Sequence, residues 1–110
     1  MKAYLIDELS PSDMEQITDF LKKNAIRSNL DHIFWIQIPD YLLSDTQLLH
    51  RNCRPHVFAA ELGTNWLKME FFVRSLKKMQ CTCPGYCNTK QTNYIISFVH
   101  TMITRLGIST

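Results

Sequence analysis

Hydrophobic and polar positions change period several times along the chain, and each change predicts an element. Residues 3–9, Ala-Tyr-Leu-Ile-Asp-Glu-Leu, read as a short strand. Ser10-Pro11 then opens a helix: Ser10 is a cap residue, Pro11 suits the first helical position, and Asp13 completes a capping pair. Met14, Ile17 and Leu21 recur at helical spacing with Phe20 beside them, which predicts a helix over residues 11–25 with Lys22 and Lys23 at its negative end.

Ile33-Phe34-Trp35-Ile36-Gln37-Ile38 is β-branched or aromatic almost throughout and stops at Pro39, the pattern of a central strand covered on both faces. Strand, helix, strand in this order suggests a right-handed βαβ start. Ser44 and Gln47 cap a short helix carrying Leu48 and Leu49, which ends by Pro55.

Residues 56–62 and 65–74 flank Gly63-Thr64, the signal of a hairpin with a type II′ turn. Pairing Leu62 with Asn65 puts Phe58, Ala60, Leu62, Leu67, Met69, Phe71 and Val73 on one face. Val57, Glu61, Trp66, Lys68, Glu70, Phe72 and Arg74 fall on the other. Asn88 and Gln91 cap a last helix over residues 89–106, with a stripe of Ile95, Val99, Met102 and Leu106, and Gly107 stops it. The expected fold is α+β: a two-layer sandwich with a four-stranded mixed sheet, in β-α-β-α-β-β-α order, and helices mainly on one face. Residues 1–110 read as a single globular domain.

Composition narrows the function classes. The 110 residues are 45% hydrophobic and 20% charged, which excludes a disordered or low-complexity chain. A formal charge of +2 is too weak a field to argue for nucleic acid. Lys68, Arg74, Trp66 and Phe72 share a hairpin face, but Glu61 and Glu70 interrupt it, so RNA ranks last among partners. Trp66, Phe72 and Val57 make that face more apolar than a wetted one, which points to a homodimer or a protein partner. No apolar run approaches the roughly 18 residues of a bilayer span. Asp7 and Glu8 interrupt any early secretory segment, so a cytoplasmic location is expected. Three glycines leave little backbone for a phosphate cradle, and no G-x-G-x-x-G, phosphate-loop or G-x-S-x-G motif occurs. Asp13 and Glu15 sit in a first helical turn, where acids complement the dipole without catalysis. The reading that follows is a small non-enzymatic binding or adaptor domain.

Chemistry concentrates in the cysteines. Cys81, Cys83 and Cys87 fall in Cys-Thr-Cys-Pro-Gly-Tyr-Cys, and Cys53 precedes the hairpin. In a reducing compartment such a cluster reads as metal-binding or redox-active. Cys83 to Cys87 has the spacing of a zinc knuckle, Cys81 to Cys83 is tighter, and Pro84-Gly85 supplies a turn. The hairpin register places Cys53 opposite Arg74 and His56 opposite Phe71, toward the cysteine segment. The expected structural zinc site is therefore Cys53, Cys81, Cys83 and Cys87, with His56 as an alternative ligand.

The alternative is a thiol redox protein or metal carrier using Cys81, Cys83 and Cys87. Cys87 precedes the cap of the last helix, where the dipole lowers a thiol pKa, and Lys90 adds to that. A plainer account treats the cysteines as small buried hydrophobes. His50, Cys53 and His56 are three apart, so His50 and Cys53 are neighbours if both are helical; His32 and His100 are read as structural or solvated.

Overall fold

Three reciprocal capping boxes set where the helices begin. Ser10, Ser44 and Asn88 each accept from a backbone N–H three residues on, and the Asp13, Gln47 and Gln91 side chains bond back to the cap backbone. In the computed structural model, which describes residues 2–77 and 83–109, the helices are α1 (Pro11–Asn24), α2 (Asp45–Leu49) and α3 (Thr89–Arg105). Gly107, at φ +70°, ends α3 in a Schellman arrangement: Ile108 N–H donates to the Ile103 carbonyl and Gly107 N–H to that of Thr104, both at 3.1 Å.

The strands are β1 (Ala3–Ile6), β2 (Ile26–Arg27), β3 (Ile33–Gln37), β4 (His56–Leu62), β5 (Leu67–Glu70), β6 (Phe72–Ser75) and β7 (Gly85–Tyr86). They run in the order β1-β5-β4-β3-β2, with β6 pairing β4 and β7 pairing β6. The α+β class stands, but the sheet has seven strands rather than four. Among the described residues every pairing is antiparallel, in place of the mixed sheet expected. The reversal comes from β2, a two-residue strand directly after α1 that forms a hairpin with β3. Consequently β3 and β1 point in opposite directions, and the expected crossover from β1 to β3 is replaced by one through α1 to β2, which runs parallel to β1 at the other end of the sheet path.

Burial assigns the centre of the sheet to β4. His56, Val57 and Phe58 are buried in succession, whereas burial alternates along β3 as in a strand covered on one face. Helices α1 and α3 cover the face that carries Phe34, Ile36, Phe58, Ala60 and Met69. Phe58 meets Tyr94 and Phe98 edge-on, with ring centroids 6.5 and 6.0 Å away, and Phe98 meets Phe20 of α1 at 6.3 Å.

The β4–β5 hairpin keeps the expected faces but slips by two residues. Leu62 pairs with Leu67, not Asn65, and Gly63 N–H donates to the Trp66 carbonyl at 2.9 Å. A two-residue slip preserves side-chain alternation, so the hydrophobic pattern is satisfied by either register. Gly63 is not in the left-handed region, so there is no type II′ turn there. Its glycine is required by the Trp66 indole, which occupies the space a Cβ would need. After Glu70 the strand bends at Phe71, and β6 resumes with His56 opposite Ser75 and Val57 opposite Arg74. The expected pairings of His56 with Phe71 and of Cys53 with Arg74 are thereby replaced. Among the described residues, no helix is long and apolar enough to cross a membrane.

Candidate metal centre

The chain enters β4 through a tight succession of turns. Helix α2 stops at His50, a 3-10 turn holds Arg51–Cys53, and His56 begins the strand. A helical neighbourhood for His50 and Cys53 is replaced by this turn, which still leaves His50 Nδ1 3.9 Å from Cys53 Sγ. The third component arrives from the loop before β7. Cys83 Sγ lies 3.5 Å from His56 Nε2, across 27 residues of sequence.

One donor atom each from His50, Cys53 and Cys83 lie within 4.8 Å of one another. Ligands held at about 2.0 and 2.3 Å on tetrahedral angles stand about 3.5 Å apart; the His50–Cys53 separation of 3.9 Å is near that spacing, and the group as a whole is bounded by 4.8 Å. Cys53 and Cys83 are buried and His50 is half-buried. His56 is 2% exposed, and burial, with Arg54 nearby, lowers its pKa and keeps the imidazole neutral, the form that ligates. Its Nδ1 is buried without a hydrogen-bond partner among the described residues.

Polar contacts hold these segments together. Gln47 Oε1 closes the α2 cap, and Gln47 Nε2 donates to the Cys83 carbonyl at 3.3 Å. Gln91 Oε1 closes the α3 cap, while Gln91 Nε2 donates to Gln47 Oε1 and to the Leu42 carbonyl, both at 2.9 Å. The Ser75 hydroxyl donates to the Cys53 carbonyl. Two glutamines read from the sequence only as caps therefore tie α2, α3 and the Cys83 loop into one corner.

Of the expected ligands, Cys53 and Cys83 come together, His56 adjoins Cys83, and Cys81 lies outside the described residues. Cys87 is not a member of the group. It packs against the helix-covered core, and its N–H donates to the Phe71 carbonyl at 3.0 Å. Burial first, then the Glu70 charge, push its thiol up to about 11, opposite to the lowering expected from the start of α3. The Asn88 side chain already takes the Gln91 N–H at the start of α3. His50 was missing from the expected set, although its three-residue spacing to Cys53 was the available signal.

The expected interface residues sit differently. Val57 is 0% exposed and has no side-chain surface to offer. Phe72 is half-covered by Tyr86, edge-on at 5.1 Å, and by the Arg74 guanidinium at 4.9 Å. Trp66 lies over Gly63 and 5.8 Å from the Lys68 ammonium. The charges on this face pair within the chain, Lys68 with Glu61 at 3.2 Å and Arg74 with Glu70 at 2.8 Å. Compared with protein-family models, curated proteins and solved structures, the chain matches none.

Proposed function

We propose that the chain is a small, non-enzymatic binding domain of a reducing, cytoplasmic compartment, built around a structural zinc held by His50, Cys53 and Cys83. The observation that carries this reading is the convergence of those three donors, two from the turn before β4 and one from the loop before β7, to within 4.8 Å. Its support is the neutral, buried His56, whose Nε2 lies 3.5 Å from Cys83 Sγ. Structural sites are closed, with four protein ligands. The fourth is His56 or Cys81, which precedes Cys83 by two residues in sequence. Tyr41, in the turn before α2, and Leu49, at the end of α2, are 80% and 85% exposed and are the apolar side chains a partner would meet.

Protein purified without chelator should carry about one zinc per chain. Cys53→Ser and Cys83→Ser should each lose the metal and lower the melting temperature. Retention of zinc by Cys81→Ser and its loss from His56→Asn would assign the fourth position to His56, and the reverse pattern to Cys81. A metal-free protein whose stability is indifferent to Cys53→Ser and Cys83→Ser would contradict the reading. The half-buried His50 favours a second reading, a metal carrier, which predicts exchange with a chelator within minutes while the fold persists.

A further inference from the structure

We propose that β1 is a docking edge for a second copy of this chain, the two β1 strands pairing antiparallel about a two-fold axis at Leu5. Strand β1 ends the sheet path and, among the described residues, pairs only with β5. Phe71 N–H donates to the Lys2 carbonyl at 2.9 Å, which makes Lys2 and Phe71 a hydrogen-bonded pair. Hydrogen-bonded pairs alternate along an antiparallel ladder. Tyr4 and Ile6 therefore direct their backbone groups to Met69 and Leu67, and Ala3 and Leu5 direct theirs outward. Such a row is a template for another strand.

The charge pattern of β1 selects the occupant. Lys2 precedes the apolar run, and Asp7 and Glu8 follow it. Parallel pairing would set like charges side by side. Antiparallel pairing centred on Leu5 places Lys2 opposite Glu8 of the second copy, and Ala3 opposite its Asp7. Symmetry makes each pairing twice. This register uses the residues whose backbone groups face outward, since Ala3, Leu5 and Asp7 then form the hydrogen-bonded pairs.

Side chains on both faces fit the same arrangement. Leu5 is 54% exposed and, with Trp66 and Lys68, borders a surface hollow of about 450 Å³. Opposed leucines from two copies would cover one another there. On the helix side, the Tyr4 hydroxyl lies 2.7 Å from His100 Nε2 of α3, and Tyr4 and Ile6 border a groove of about 820 Å³ that the incoming strand would flank. Glu8 adopts φ +57°, a left-handed conformation that costs a non-glycine residue energy, and Leu9 N–H then donates to the Asn65 carbonyl at 2.9 Å. The chain thus leaves the edge at Glu8, which limits the docking strand to residues 2–8. This dimer does not depend on the metal centre.

Sedimentation velocity over rising protein concentration tests it. The wild type should associate to a dimer. Leu5→Pro removes an outward N–H while sparing the β1–β5 bonds, and should leave a monomer with unchanged circular dichroism. Lys2→Glu and Glu8→Lys should each weaken the dimer about tenfold at low salt, and the double variant should return to within about threefold of wild type. If Leu5→Pro fails to fold, the charge-reversal series decides alone. A wild type still monomeric at roughly 1 mM, or a dimer indifferent to both charge reversals, would overturn the proposal.

Discussion

The helix-covered face of the sheet and the corner at the start of β4 are both buried, yet they are built in different ways. On the first, Ile17, Leu21, Phe58, Ile95 and Val99 come from regular periods of 2 and 3.6, and each is essentially inaccessible. The second has little periodicity. It is assembled from Gln47, Gln91, Ser75 and two His/Cys segments that meet through single hydrogen bonds. A face made of area degrades gradually as side chains are trimmed. A corner made of discrete contacts loses a specific connection with each one.

That contrast is sharpest where a single side chain carries most of a layer. Phe58→Ala removes the ring between Tyr94 and Phe98 and should cost about 3–5 kcal/mol in denaturant unfolding. A loss under about 1 kcal/mol would mean the helix-covered face is not where stability resides. Gln91→Leu is the corresponding cut at the corner. It strands the Leu42 carbonyl and frees Gln47, and should cost about 1–3 kcal/mol. It should also speed metal loss to a chelator, because Gln47 no longer fixes the Cys83 backbone. Equal chelation rates in wild type and variant would separate the glutamine network from the metal centre.

The smallest effect concerns Cys87, which lies on the core side of the comparison. Its folded pKa is raised to about 11 from an ordinary 9.0, so burial favours the neutral thiol. The associated stability is fully present below pH 9 and is lost as pH rises toward 11. Because Cys87 is only half-buried, the stability change itself is small. Mass-resolved alkylation should show Cys87 reacting slowly at neutral pH, with a midpoint well above 9. A midpoint below 8 would restore the redox reading of this cysteine.

The same division explains what could be read from residues alone. All three capping boxes, the α3 stripe and the faces of the β4–β5 hairpin follow from local pattern, because each rests on contacts a few residues apart. The strand count did not follow: β2 and β7 have two residues each, too short for any period to register, and the bend at Phe71 splits the expected 65–74 strand into β5 and β6. Hairpin register was ambiguous by two because alternation has that period, and the bend at Phe71 then moved Ser75, not Phe71, opposite His56. At the site, Cys53, His56 and Cys83 were legible as donor types. The inclusion of His50 and the exclusion of Cys87 depended on a 3-10 turn and on burial, and neither has a sequence period.

X-ray absorption at the zinc edge of the purified protein tests the metal centre most directly, because it reports ligand type and distance together. A four-coordinate shell of mixed sulfur and nitrogen, with sulfur at about 2.3 Å and nitrogen at about 2.0 Å, is the predicted result. Loss of one sulfur scatterer or of the metal itself in Cys53→Ser is expected alongside it. An oxygen-dominated shell, or a signal unchanged in Cys53→Ser and Cys83→Ser, would contradict the assignment.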